Sequence, residues 1–176
     1  MANPFFNATY YNQQNKDVYV SGMDAYTHYV QFGASEALEG AATRKPAPWF
    51  DIEFYYENNP DLIAAKLTPA QLFDHFTTYG YKEGRAPNAI AQENVNADSL
   101  LTYALANADL REAFGIDADA TELTAAQYVD LAGHYYQFGY NEARPGLPST
   151  EGGGEIGADQ YLTVGKDDIT VEGDNN

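Results

Sequence analysis

The chain has 176 residues, 9 of them basic and 26 acidic, giving a formal charge of −17, and it contains no cysteine. That length suits one compact domain with or without a tail, and the missing cysteines exclude disulfides, thiolate zinc sites and a cysteine nucleophile. The acidity argues against nucleic acid or an anionic lipid surface as partner and leaves cations, above all Ca²⁺, and no run of about 18 apolar residues is present to span a membrane.

The opening stretch, Met1 to Phe6, has no basic n-region and no apolar h-region. A cleavable signal peptide is therefore not expected, which leaves a cytoplasmic protein or one exported by a route that reads no N-terminal signal. From here the chain repeats itself. The motif His-aromatic-x-x-aromatic-Gly-x-x-Glu-small occurs at 28–37, 75–84 and 134–143. Three occurrences with constant internal spacing predict a repeat architecture. The units run over about 5–45, 49–90 and 95–148.

In the first unit Asn7 is placed to cap a short helix carrying Tyr10 and Tyr11, and Asn15 and Asp17 interrupt it. A second helix is predicted from Ser21 as N-cap, with Tyr26, Tyr29 and Phe32 facing inward and Gly33 stopping it. A Pro-containing loop, 41–48, leads to the second unit. Asp51 caps 52–58, Asn59 breaks the helix, and Pro60 with Asp61 starts a further turn. Thr68 and Pro69 then open a helix with Leu72, Phe73, Phe76 and Tyr79 on one apolar face. Gly80 is expected in the left-handed position that ends it. A loop over 86–94 follows. The third unit reads as helices over 97–107 and 109–114, a polar insertion over 115–122, and a helix from Thr124 with Tyr128, Leu131, Tyr135 and Phe138 as its stripe and Gly139 as its stop. One such unit cannot bury its helices alone, so the expectation is an all-α body of three stacked helix-pair repeats over 1–148. A Gly-rich linker over 149–159 and the start of a β-rich region over 160–176, where Tyr161–Val164 and Ile169–Val171 alternate, complete the reading.

Phe-x-x-x-aromatic-Tyr, then Asn-Pro-Asp-Leu, then His-aromatic-x-x-aromatic-Gly-x-x-Glu-Gly-Arg-x-Pro resembles a helical repeat of bacterial cell-surface proteins. Residues 50–87 match best; the first unit lacks the closing Arg and has Lys16 where Pro is usual. The segment Leu162–Thr170 resembles the entry to the β-rich region of S-layer and RTX-type proteins. The resemblance implies type I secretion from a Gram-negative cell, an extracellular location at the cell surface, and a helical N-terminal region that attaches a lattice to lipopolysaccharide while the β-rich part assembles with Ca²⁺.

Candidate sites follow from both lines. His28, His75 and His134 occupy one position of each repeat, which suits half-buried imidazoles bonded to a neighbouring helix rather than convergent metal ligands. Gly33, Gly80 and Gly139 are structural positions beside them. Glu36, Glu83 and Glu142, with Arg85 and Arg144 two residues after the last two, suit structural ion pairs or caps. The repeated Asn15/Asp17, Asn59/Asp61 and Asn107/Asp109 suit a left-handed Asn ending one helix and an Asp starting the next, with Ca²⁺ as the alternative. Asp117 and Asp119 alternate as Ca²⁺ ligands can, without the glycine and glutamate of an EF-hand, and Asp167, Asp168 and Asp174 offer oxygens in the tail. Trp49, Tyr56, Tyr81, Tyr136 and Tyr140 are read as an exposed aromatic set for sugar stacking, against the alternative of packing between repeats. Arg44, Lys45, Lys82, Arg85 and Arg144 are placed to meet phosphate or carboxylate on lipopolysaccharide. The function expected is a non-enzymatic attachment module for surface polysaccharide. A Ca²⁺-assembled lattice or adhesin module without glycan is the alternative.

Overall fold

The computed structural model describes residues 1–142 and 144–146. The expected linker and β-rich start, and with them Asp167, Asp168 and Asp174, lie outside the described residues. Among the described residues all regular structure is helical, and no helix is long and apolar enough to cross a membrane. The chain divides into two compact units, one over Met1–Glu93 and the other from Asn94 onward. The first holds repeats one and two, the second repeat three.

In repeat one, α1 (Ala8–Gln14) starts where the Asn7 side chain accepts a hydrogen bond from the Tyr10 N–H. Asn15 interrupts it, and α2 (Lys16–Ser21) ends at a left-handed Gly22. Ser21, expected to cap the next helix, is the last residue of α2, because the Gly22 turn comes after it. The cap is Asp24, which accepts from Thr27 N–H. The following helix is continuous but not uniform. α3 (Ala25–His28) runs into a π-helical turn, Tyr29–Gly33, and on into α4 (Ala34–Leu38).

Repeat two repeats the plan. α5 (Ile52–Asn58) is capped by Asp51, Asn59 interrupts, and α6 (Pro60–Ala64) follows with Pro at its first turn. α7 (Pro69–His75) starts at Thr68 with a reciprocal capping box to Gln71 and passes into a π-helical turn, Phe76–Gly80. The stretch expected to be a loop after residue 86 contains α8 (Ala89–Asn94), seeded by Asn88, whose carbonyl accepts from Ala91 N–H while its amide donates to Trp49 O. The two repeats share one core. Tyr29 meets Phe73 edge-on at 5.9 Å, and Trp49 packs on Phe73 and Phe76 at 6.1 and 5.5 Å. The N-terminal residues strap across both: Asn3 donates to Asp74 and Thr77 of repeat two, Phe5 lies against Trp49, and Phe6 against Tyr11 and Tyr29.

In the second unit, α9 (Ala97–Leu105) is capped by Asn96, α10 (Ala108–Phe114) ends at a left-handed Gly115, and α11 (Ala125–Gln137) starts at a Thr124–Gln127 capping box. A 3₁₀ turn, Gly139–Asn141, closes it. Leu100, Tyr103, Leu110, Ile116, Leu131, Tyr135 and Tyr136 fill its core.

Two sequence expectations fail for one reason. Gly33 and Gly80 do not stop a helix in the left-handed region; Gly33 has φ −60°, and Gly80 is not among the glycines of positive φ. Both sit inside the π turns. Phe32 and Tyr79, expected in the core, are 50 and 57 % exposed. A π turn bonds residue i to i+5 and takes more residues to come round than an α turn. The residue three after Tyr29 or Phe76 has therefore not returned to the core; the glycine, four after, has. Phe138 reaches a similar outward position, 45 % exposed, because α11 ends just before it.

Candidate functional site

Each repeat builds the same polar and aromatic station, and it begins with a buried tyrosine. Tyr11, Tyr55 and Tyr103 lie on the first helix of their repeats, four residues before the buried Asn. Their hydroxyls are hydrogen-bonded to Nδ1 of His28, His75 and His134 at 2.9, 2.9 and 3.2 Å. Burial pushes all three phenols well above their ordinary value, so they stay neutral hydroxyls. The hydroxyl stands where a side chain at the π-turn glycine would be. A Cβ built on Gly33 would lie 2.1 Å from Tyr11 Oη, and one on Gly80 would lie 2.4 Å from Tyr55 Oη. The glycine of the motif serves close approach, not a left-handed turn.

Each imidazole also meets an exposed aromatic ring. Phe32, Tyr79 and Phe138 sit four residues after the His, with ring centroids 5.6, 5.7 and 5.4 Å from it. Each exposed ring thus rests on a histidine that is itself held by a buried tyrosine. Burial, with help from the nearby Arg85 in one case, holds His75 and His134 below the usual imidazole value, so these platforms are neutral at pH 7.

An arginine cluster forms the second half of the station. Arg85 Nε bonds Glu83 at 2.6 Å, and its terminal nitrogens reach Asn59 Oδ1 at 2.6 Å and Asp61 at 2.9 and 2.8 Å. Arg144 pairs with Glu142 and Asp109 and reaches toward Asn107. Repeat one, whose motif lacks the closing Arg, recruits Arg44 from eight residues beyond Glu36: it bonds Glu36, Asn15 and Asp17 at 2.6, 2.7 and 2.7–3.0 Å. The three guanidinium groups are held above their already high ordinary value by these carboxylates. Asp17 is lowered to about 2 by its hydrogen bond with Arg44. The Asn residues are not left-handed; Asn15, Asn59 and Asn107 have φ near −128°. Their amides donate to the carbonyls of Tyr11, Tyr55 and Tyr103, which adds a side-chain donor to a carbonyl in the last turn of the first helix.

The expected sugar and phosphate contacts are redistributed accordingly. Trp49, Tyr136 and Tyr140 are buried and Tyr56 and Tyr81 half-buried, so this set is not an exposed aromatic face. Trp49 fills the core between repeats one and two, and Tyr135 and Tyr136 are both buried despite being adjacent. Arg44, Arg85 and Arg144 are each engaged by two carboxylates of their own repeat. Lys82 is exposed and its ammonium lies 5.7 Å from the Tyr81 ring centre. Asp117 and Asp119 are exposed in the insertion, and among the described residues no group of three His, Asp or Glu side chains is set to hold a metal ion.

The sequence reading placed Arg44 among the phosphate contacts and missed it as the ion-pair partner of Glu36, because its distance from Glu36 differs from the two-residue spacing of the other repeats. It also missed the tyrosine partner of each histidine. The signal for that partner is present: a tyrosine stands four residues before each repeated Asn. Compared with known protein families, with curated proteins and with solved structures, the chain matches none.

Proposed function

We propose that the chain is a non-enzymatic attachment module of a secreted, S-layer-like cell-surface protein, and that it holds surface polysaccharide on the exposed rings of Phe32, Tyr79 and Phe138. The observation that carries this reading is the repetition of one station. An aromatic ring about half exposed is backed by a histidine, which is hydrogen-bonded to a buried tyrosine, once in each repeat. A ring held rigidly with one face to solvent presents an apolar, weakly negative surface suited to the C–H face of a sugar at little entropic cost. One such contact is weak, and several along a polymer gain by effective concentration. The self-paired arginines favour the sugar chain over the phosphates of lipopolysaccharide as the group recognised. The repeat resemblance and the acidic, cysteine-free composition support placement of the parent protein outside a Gram-negative cell.

The test is co-sedimentation of the intact chain with Gram-negative cells that carry or lack O-polysaccharide, in Ca²⁺ and in chelator. The expected result is pelleting that needs the polysaccharide and falls in the triple variant F32A/Y79A/F138A. Equal pelleting on both kinds of cell removes the polysaccharide reading. Ordered assembly driven by Ca²⁺ without any glycan supports a lattice or adhesin module instead.

A further inference from the structure

The first unit carries a groove that the repeated stations do not use. It lies over α1 and α2 and is lined by Thr9, Asn12, Gln13, Lys16, Tyr19 and Val20. Tyr19 is 68 % and Val20 81 % exposed. Asn12 Oδ1 is one of three buried side-chain polar atoms without a hydrogen-bond partner among the described residues. No carboxylate lines the groove, although the chain has 26 acidic residues.

Repeat two carries different residues at the positions of this lining. Aligned on Tyr11 and Tyr55, the groove positions of repeat one correspond in repeat two to Glu53, Tyr56, Glu57, Pro60, Ile63 and Ala64. The station residues are kept between the two repeats. The groove residues are not: two glutamates become Thr9 and Gln13, an aromatic becomes Asn12, and Ile63 becomes the far more exposed Tyr19. Two amides and a hydroxyl stand where repeat two has two glutamates and a tyrosine, Lys16 brings the one charge of the lining in place of Pro60, and the Tyr19 ring stands beside them.

We infer that this groove is a separate subsite for a neutral sugar residue, with the pyranose face on Tyr19 and its hydroxyls on the side chains of Asn12, Gln13 and Thr9; this rests on the polysaccharide reading above. Asn and Gln side chains offer both donors and acceptors, which matches hydroxyl groups that are themselves both. The charge balance selects a neutral chain. A cationic ligand meets the Lys16 ammonium, and a polyanion meets a molecule of charge −17.

The experiment is ¹H–¹⁵N NMR of the intact chain titrated separately with dextran, mannan, galactan and, as the acidic polymer, alginate. Shifts are expected with at least one neutral polysaccharide at the amides of the six groove residues. They should persist in about 1 M salt, where the Debye length is about 3 Å. Tyr19→Ala should weaken the groove response about tenfold, the scale of 1.4 kcal/mol of lost stacking. Because Tyr19 is exposed, the variant should keep the spectrum of the folded core, and Gln13→Ala provides a second surface variant. Shifts confined to the surroundings of Phe32, Tyr79 and Phe138 overturn this subsite and leave the polysaccharide reading standing. Response to alginate alone overturns its neutral character. Broadening of the groove amides with protein concentration, without sugar, assigns the face to self-association and overturns the subsite. No response to any polymer overturns both proposals.

Discussion

The glycine of the repeated motif answers to one tyrosine hydroxyl, and this makes a sharp test. In Gly80→Ala the new methyl would lie 2.4 Å from Tyr55 Oη and 3.0 Å from Phe76 Cδ2. Either the Tyr55–His75 hydrogen bond breaks or the π turn shifts. Overpacking of this kind costs about 1–3 kcal/mol, and a lost hydrogen bond adds about 1 kcal/mol. Tyr55→Phe alone should cost about 1 kcal/mol, and the double variant should be markedly less destabilised than the sum, because removing the hydroxyl makes the room that the methyl needs. Urea denaturation of the four proteins checks this, and strict additivity would show that glycine and tyrosine are not coupled. The same station makes stability depend on pH. Burial lowers His75 and His134 below their ordinary 6.5 in the fold, so the unfolded chain takes up these protons first as pH falls. Their contribution is complete above pH 6.5, declines as the pH drops through 6.5 toward the folded values, and levels off below them. Arg85, Glu83 and Asp61 surround His75; their mutual hydrogen bonds hold Asp61 below and Arg85 above the ordinary value, so these two keep their charges over that range. The urea midpoint should fall between about pH 7 and about pH 5; a flat profile there rules the effect out.

At the scale of the element, the break between the two short helices of each repeat depends on an asparagine and an arginine, and their burial decides which bond matters. Asn15 is almost wholly buried, and its Oδ1 accepts from Arg44, whereas Asp17 is exposed. Arg44→Met should therefore cost about 1–3 kcal/mol by leaving the Asn15 oxygen buried without a donor, and high salt should not restore it. Asp17→Ala removes an exposed ion pair, should cost less than about 1 kcal/mol, and should lose its effect as salt rises. Urea midpoints in low and high salt distinguish the two; equal, salt-sensitive losses would mean that the ion pair and not the asparagine bond holds the break. The helices themselves were legible because their caps are local: Asn7, Asp51, Thr68 and Thr124 each accept from a backbone N–H three residues on. The π turns were not legible. The spacing of Tyr26, Tyr29 and Phe32 satisfies an α-helical stripe equally well, and only the tertiary demand of a hydroxyl at Gly33 selects the wider turn. That one local difference turns Phe32 and Tyr79 from core residues into the exposed rings of the candidate site. The expected exposed set of Trp49, Tyr56, Tyr81, Tyr136 and Tyr140 failed for a related reason, since local sequence does not say which rings neighbouring segments will cover. Tyr135 and Tyr136 are both covered.

At the scale of the whole molecule, the threefold repetition does not produce three equal bodies. Repeats one and two are bound into one unit by bonds that close within residues 1–93. Asn7 N–H donates to Pro46 O and Asp51 N–H to Pro87 O, Asn3 reaches Asp74 and Thr77, and the rings of Tyr29, Trp49, Phe50 and Phe73 form a continuous aromatic core. A chain of this size has enough interior to fold by itself. A protein ending at Asn94 should accordingly fold cooperatively. The single tryptophan reports on it directly, because Trp49 lies at the centre of this core and is 1 % exposed. Its emission in the truncated protein should be as blue-shifted as in the full chain. The urea transitions followed by Trp49 fluorescence and by far-ultraviolet circular dichroism should coincide, as they do for a two-state domain. Red-shifted emission, or a gradual loss of helix without a transition, would mean that repeats one and two do not form a self-sufficient unit. The bonds closing within them would then be insufficient without the residues that follow.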